Sequence, residues 1–562
     1  MQPLRTLIPL PLHNIFTAVK SEVFSRIVCV KSLIGRTLIL VLPRVVKDSW
    51  VFKVFEVSRV RLRLSGVVAF ASNIVGYLTG LIFTIFISRR LSEGDFGVWA
   101  LIGTFIGYSL TPFNLLTSWI TRDAARGKKI LGSAAALFAL LTPLSILIYI
   151  LVALRAAATL NYEPSLMLLG LTVLIPHILL TLAAAVQSGY APQNLGVAGI
   201  IFELSKLVIA FLLVLILRLG LAGALLTLSI SYLIQAVFLL WKSAPLFQKE
   251  VGREVVKWLK GAPINLLSVL SGVIGATDIV VIGVLFGAVA AGYWQAALAA
   301  SALVTSTQAL MIGLGPRLIS GGSQKDLDTA LNFGMMLTIP ACFGFIVLAR
   351  DILWILRPTY TEAWAVACIL AVRGLIGIFG GIGSTAIAAR DEFDRRDDIS
   401  VMDFFESRIF LLNKIGLTLT SLYIAAVAST LIIAKNVGLD MIESLLAAST
   451  LSLIFTAAGS VINVRLMKKL TDLKLTYSPL LKYACSSCIT AAVVYLLRGL
   501  LKPPSNIFGA VGNVVLLTAV GAIIYGCISY FISDEFGNCL REAFSYIKSL
   551  KNRNIGGKNV VV

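Results

Sequence analysis

The sequence predicts an all-α fold, a polytopic bundle of transmembrane helices, and three observations carry that prediction. The 562 residues are 58% hydrophobic and only 14% charged, with a mean hydropathy of +0.92. That leaves too little polar surface to cover a water-soluble globule of this size. The apolar residues fall in long uncharged runs, and lysine and arginine cluster at every second gap between those runs. In hydrocarbon every backbone group must be satisfied within its own segment, and no short alternating pattern of barrel strands occurs, so the runs are helices.

A span takes about 20 mostly apolar residues. On that basis about 14 helices are expected, near 67–87, 96–118, 130–154, 165–187, 196–217, 221–241, 263–286, 291–314, 331–349, 363–389, 411–434, 442–464, 478–497 and 507–532. Alternate gaps divide the basic residues unequally. One set of gaps, including both ends of the chain, holds about 37 and the other about 9, so the positive-inside tendency places both termini in the cytoplasm, as in a multi-pass plasma-membrane protein. Lys206 and Arg373 belong to neither set because both fall inside expected spans. The net charge of +20 flanks apolar runs, where it faces anionic lipid headgroups, and no nucleic-acid partner is expected.

Residues 1–64 form a separate basic segment, with Lys20, Arg26, Lys31, Arg36, Arg44, Lys47, Lys53 and Arg59 set among apolar side chains. That pattern suits amphipathic helices lying on the cytoplasmic membrane surface, and no signal-peptide cleavage pattern follows it. A start of translation near Leu64 is the alternative. The seven cysteines, at 29, 342, 368, 485, 488, 527 and 539, lie mostly in apolar runs and read as small buried hydrophobes.

Shifting the chain on itself by 195 residues superposes Gly66 on Gly261, Gly80 on Gly275, Gly97 on Gly292 and Trp99 on Trp294. Six spans separate the copies, so the halves would cross the membrane in the same sense about a pseudo-two-fold axis along its normal. The plainer reading is that Gly and Trp are simply common at packed and interfacial positions.

The stretches SRRLSEGDFGVWAL (88–101), TRDAARGKK (121–129), VQSGYAPQNLGVAGIIFELSKLVIA (186–210), TDIVVIGVLFGAVAAGYWQAAL (277–298) and RPTYTEAWAVACILAVRGLIGIFGGIGSTAIAARDEF (357–393) lie in an order that resembles the polysaccharide exporters of the multidrug/oligosaccharidyl-lipid/polysaccharide superfamily, the Wzx-type flippases. The resemblance covers about residues 64 to 532. It implies two pseudo-symmetric six-helix lobes, over 65–241 and 263–465, joined by a cytoplasmic linker at 242–262 and followed by two C-terminal helices within 466–532 and a basic cytoplasmic tail at 533–562. It further implies export of a polyprenyl-(pyro)phosphate-linked oligosaccharide by alternating access, alongside glycosyltransferase or polymerase partners.

Such a cargo must carry phosphate through hydrocarbon, where one charge costs at least about 2.5–3.5 kcal/mol. The few ionisable residues inside spans are therefore the candidates. Arg373, roughly 15 Å into its span, is the first choice for gripping phosphate, since a guanidinium stays charged and forks onto two oxygens. Glu203 and Lys206 share one helical face, as either a ligand-handling or a structural pair. Asp278 is a lone carboxylate in a Gly-rich helix, fit to take H+ or Na+ or to pair with Arg373. Arg122, at the end of the second span, matches a basic position of the family, with a cytoplasmic anchor as its plainer role. Arg373, Lys206 and Arg122 are thus expected to meet the sugar–phosphate head in one hollow, with Asp278 and Glu203 as ion-coupling groups.

His177 follows Pro176 and is expected to bond a carbonyl freed by that proline, a proton-shuttle role being secondary. Pro112, Pro143, Pro176 and Pro340 offer weak support for bends. Cys485 and Cys488 have metal-ligand spacing but no second pair, and DEFDRRDD (391–398) reads as a solvated loop, so no metal is expected. The chain lacks a phosphate-cradling loop ending in Lys and Ser or Thr, so neither nucleotide hydrolysis nor a cofactor is expected. Two rival functions remain: a cation-coupled multidrug exporter of the same superfamily, and a membrane glycosyltransferase or ligase. Such an enzyme usually needs a sizeable extramembrane loop, and the longest loop here is cytoplasmic and only about twenty residues.

Overall fold

The computed structural model describes residue 76 and residues 79–248, 252–307, 314, 318, 322–391, 405–501, 506–533 and 536–537. The expected surface helices of residues 1–64, most of the basic tail, and the acidic loop after Asp391 lie outside these residues. The described secondary structure is helical throughout. Eleven segments are long and apolar enough to cross a membrane, or twelve if one bent pair counts as a span.

In chain order the helices are α1 (79–90), α2 (Glu93–Ser109), α3 (Thr111–Ala125), α4 (Leu131–Leu160), α5 (Pro164–Leu168), α6 (Leu171–Tyr190), α7 (Gln193–Ala210), α8 (Gly220–Ser243), α9 (Glu254–Gly261), α10 (Leu266–Gly275), α11 (Asp278–Thr305), α12 (Gln324–Leu356), α13 (Trp364–Ala389), α14 (Arg408–Val437), α15 (Met441–Leu470), α16 (Ser478–Leu500) and α17 (Ile507–Ile532). Local chemistry sets their ends. The Ser92 hydroxyl accepts the Asp95 amide at the start of α2. Ser407 does the same for Phe410 at the start of α14, and Asn506 for Gly509 at the start of α17. Gly438, at φ 79°, closes α14 in the left-handed conformation glycine adopts freely.

Three departures from continuous spans matter for the site. The expected span 96–118 is a bent pair: α2 and α3 meet at 56° around Leu110, with Pro112 in the first turn of α3, where a missing N–H costs nothing. After α7 the chain runs as a π-helix over Phe211–Ile216. Within α11, Gly287 takes φ 89°, and the chain turns back on itself there. The Cβ position of Gly283 lies 3.8 Å from Ala291 Cβ, although residues eight apart on a straight helix would be about 12 Å apart. The segment before Gly287 and the segment after it are therefore two antiparallel helices, as the expected spans 263–286 and 291–314 require.

Contacts between the first and second halves of the chain concentrate at the end expected to lie outside. The Ser88 hydroxyl donates to Leu356 O at 3.0 Å, and the Arg89 guanidinium donates to Ile355 O at 2.7 Å and Trp354 O at 2.9 Å. Thr359 donates to Glu93 at 2.6 Å, and Arg357 lies 4.0 Å from the same carboxylate. Below them α2 crosses α11 backbone to backbone. A Cβ on Gly97 would sit 1.8 Å from Ala288 O and 2.8 Å from Gly292 N, and one on Gly292 would sit 2.5 Å from Glu93 O. Gly97 and Gly292 are one of the pairs related by the 195-residue shift, and here they face each other, as equivalent residues do near a two-fold axis.

The last two helices lean on α12. Arg498 forms an ion pair with Asp351 at 2.6 Å, and the Tyr525 hydroxyl donates to Met336 O at 2.8 Å. Their outer faces are apolar, with Phe508 and Phe531 more than four-fifths exposed, as a surface solvated by lipid should be.

Candidate functional site

The second half of the chain encloses a polar pocket of about 620 Å³. Thr277 interrupts the helix between α10 and α11, and Asp278 enters the pocket as the first residue of α11. Its carboxylate accepts the Ile279 amide at 2.7 Å and the Tyr423 hydroxyl of α14 at 3.1 Å. Across the pocket Arg373 of α13 donates to the Ser452 hydroxyl of α15 at 2.7 Å. Asn413, Thr420, Thr456 and Asn463 add hydrogen-bonding side chains to the wall. A buried carboxylate and a guanidinium thus share one polar hollow inside an apolar bundle. Each keeps hydrogen-bonding capacity beyond these partners, because a carboxylate has about four acceptor sites and a guanidinium five donors.

The remaining candidates lie elsewhere. Lys206 is only 6% exposed. Its ammonium pairs with Glu203 at 2.6 Å and sits 4.8 Å over the Phe202 ring and 5.5 Å over the Phe83 ring. Thr79 donates to the same Glu203 carboxylate. Arg122 lies 5.2 Å over the Trp119 ring and lines a groove of about 660 Å³ between α3 and α6, together with His177. The expectation of one hollow shared by Arg373, Lys206 and Arg122 is therefore corrected: Arg373 shares a pocket with Asp278, Lys206 pairs with Glu203, and Arg122 lines a third place. The physical reason is local. A lysine three residues from a glutamate on one helix finds its counter-charge before any distant ligand, and two aromatic faces complete its shell.

His177 also departs from expectation. The carbonyl that Pro176 leaves without its helical donor is that of Thr172, and the Ser229 hydroxyl fills it at 2.6 Å. The imidazole instead packs 4.6 Å from the Tyr232 ring and faces the groove. Tyr423 and Ser452 were not among the sequence candidates. Nothing in the chain order links either to Asp278 or Arg373, and only tertiary packing brings the four together. Among the described residues no three His, Cys, Asp or Glu side chains gather as metal ligands.

A third cavity, of about 540 Å³, lies between the halves, where α2 and α8 face α10. Trp99, Thr104, Tyr108, Asn114 and Gln295 supply its polar groups. Gly103, Gly107 and Gly272 leave open space along its wall.

Comparison with solved structures shows the fold. The chain is similar to the lipid II flippase MurJ in an inward closed conformation, with a TM-score of 0.57 and 14% identity over 83% of this chain and 98% of that one. It is similar also to an inward-facing multidrug resistance MATE family transporter of the MOP superfamily, with a TM-score of 0.54 and 13% identity over 72% of this chain and 98% of that one. The fold is that of these membrane transporters. No family model matches the sequence, and no curated protein matches it.

Proposed function

We propose that the chain is a secondary transporter that reorients a polyprenyl-(pyro)phosphate-linked oligosaccharide from the inner to the outer leaflet, for polysaccharide or glycan assembly, and that it makes no covalent bond itself. The observation that carries this reading is the Arg373–Asp278 pocket. An arginine held inside an apolar bundle with no ion pair among the described residues is expensive unless it serves a ligand, and its fork fits phosphate oxygens. The shared fold supports a transport function in general. The short turns at the expected outer end, such as Asn161–Glu163 and Gly438–Asp440, leave no room among the described residues for a catalytic domain, which favours a carrier over a glycosyltransferase or ligase.

In this account residues 65–241 and 263–465 act as two lobes, 466–532 as accessory helices, and both termini lie in the cytoplasm. The contacts of Glu93, Arg357 and Gly97 seal the outer end while cargo loads from inside, and rocking of the lobes reverses this. Arg373 grips the phosphate. Asp278 takes the coupling H+ or Na+, and the Glu203–Lys206 pair responds to the same ion. Glycosyltransferases supply the cargo and a polymerase or transferase consumes it. Deleting the gene should leave the lipid-linked glycan on the inner leaflet, and Arg373→Ala at normal abundance should fail to restore export. Full export by that variant removes Arg373 from the mechanism.

A cation-coupled multidrug exporter is the second reading, and the buried Asp278 bonded to Tyr423 favours it, since such a carboxylate also suits a cationic cargo. The two readings separate in a deletion strain. Sensitivity to cationic dyes with unchanged surface glycan supports the drug exporter.

A further inference from the structure

Resting on the flippase reading, we propose that the groove between α3 and α6 is an entry subsite that takes the glycosyl phosphate headgroup from the expected cytoplasmic side, before its phosphate passes to Arg373 in a separate pocket. The residues that line it are unusual for membrane helices. On α6, His177, Thr181 and Ser188 fall at i, i+4 and i+11, which places them on one face. On α3, Thr117, Thr121 and Arg122 project toward the same space of about 660 Å³.

The hydrogen-bond directions specify the ligand. Thr117 donates to Asn114 O, Thr121 to Ala185 O, Thr181 to His177 O and Ser188 to Ala184 O, at 2.7 to 3.1 Å. Each hydroxyl hydrogen is spent on backbone, so the oxygens face the groove as acceptors. Ser118 differs, since its oxygen already accepts the Asn265 amide at 2.7 Å and its own hydroxyl hydrogen is left to donate. A wall of acceptors calls for a ligand rich in O–H donors, which a sugar is and a typical aromatic drug is not. The Arg122 guanidinium, held over Trp119, supplies positive charge at the expected cytoplasmic mouth, and the His177 imidazole adds an adaptable donor or acceptor deeper in. Asn265, beside the start of α10, ties the groove to the second half of the chain, so occupancy there can be sensed across the halves.

The test is equilibrium dialysis of radiolabelled glucose 1-phosphate, glucose and inorganic phosphate against the full chain in detergent micelles, paired with glycan export in cells. Thr181→Val/Ser188→Ala removes two acceptors whose own bonds are local to α6, and Ala184→Phe fills the groove. The expectation is that glucose 1-phosphate binds at least about tenfold more tightly than phosphate or glucose, and that both variants weaken it by about five- to tenfold while remaining monodisperse and thermally stable. Equal affinity for phosphate and the ester, or variants that bind like the wild type, overturns the groove assignment. Weakened binding by both variants, together with no change in lipid-linked glycan when the gene is deleted, would instead overturn the flippase reading and leave the groove as a glycosyl phosphate site. Normal export by variants that bind like the wild type leaves the flippase reading intact and rejects the groove.

Discussion

At the residue scale, the energetics of charge in hydrocarbon separate the five candidate side chains. Glu203 and Lys206 satisfy each other at 2.6 Å in a nearly closed environment, so removing one partner strands the other. Glu203→Gln should destabilise the protein by about 3–5 kcal/mol, while Glu203→Gln/Lys206→Met should recover most of that loss. Thermal unfolding in detergent reads both, and a double variant no better than the single would show that the pair is not the source of the cost. Arg373 behaves differently because its hydrogen-bond partner is the neutral Ser452. Arg373→Lys keeps the charge but loses the fork, so export should fall at least about tenfold with little change in stability. The three-residue spacing made the Glu203–Lys206 pair legible in the chain. The Tyr423 and Ser452 partners were not, since hydroxyls inside apolar runs are ordinary and only the fold brings them to the charged pair.

At the element scale, the proline-containing helices show where motion is restrained. Pro340 deprives the Met336 carbonyl of its helical donor, and the Tyr525 hydroxyl of α17 replaces it. Pro176 is compensated through Ser229 in the same way. These prolines thus pin neighbouring helices together, and the bend lies at Leu110 beside Pro112. Tyr525→Phe should cost about 0.6–1.7 kcal/mol and loosen α17 from α12, detectable as faster amide exchange around Met336. Unchanged exchange would deny the hydroxyl that role. Span order was readable because apolar length is a property of contiguous sequence. The fold-back at Gly287 was readable in the same way, as the gap between the expected spans 263–286 and 291–314, whereas the π-helix after α7 is set by backbone geometry, to which hydropathy is blind.

At the scale of the whole molecule, the end expected to lie outside is closed by direct backbone contact, with no side chain at Gly97 or Gly292 to hold the halves apart. Gly97→Val places atoms where Ala288 O now sits, so it should pry the outer end open and abolish export while leaving the chain in the membrane. Accessibility of a cysteine placed at Thr104 to an impermeant outside reagent measures the opening. A variant as inaccessible as the wild type would mean that the contact is not the seal. The sequence offered only a few glycines and tryptophans matched at a 195-residue shift. That Gly97 and Gly292 touch could be learned only from the packed halves.

The most direct measurement follows a fluorescent undecaprenyl-pyrophosphate-linked saccharide in liposomes holding the full chain, scored by how fast the label becomes accessible to a quencher on the opposite face. The account predicts fast transfer with the wild type, and loss of transfer both with Arg373→Ala and with Glu93→Cys/Thr359→Cys oxidised across the outer end, the latter reversed by reductant. A label that stays in its original leaflet with the wild-type chain, or that crosses equally fast in all three, would contradict it.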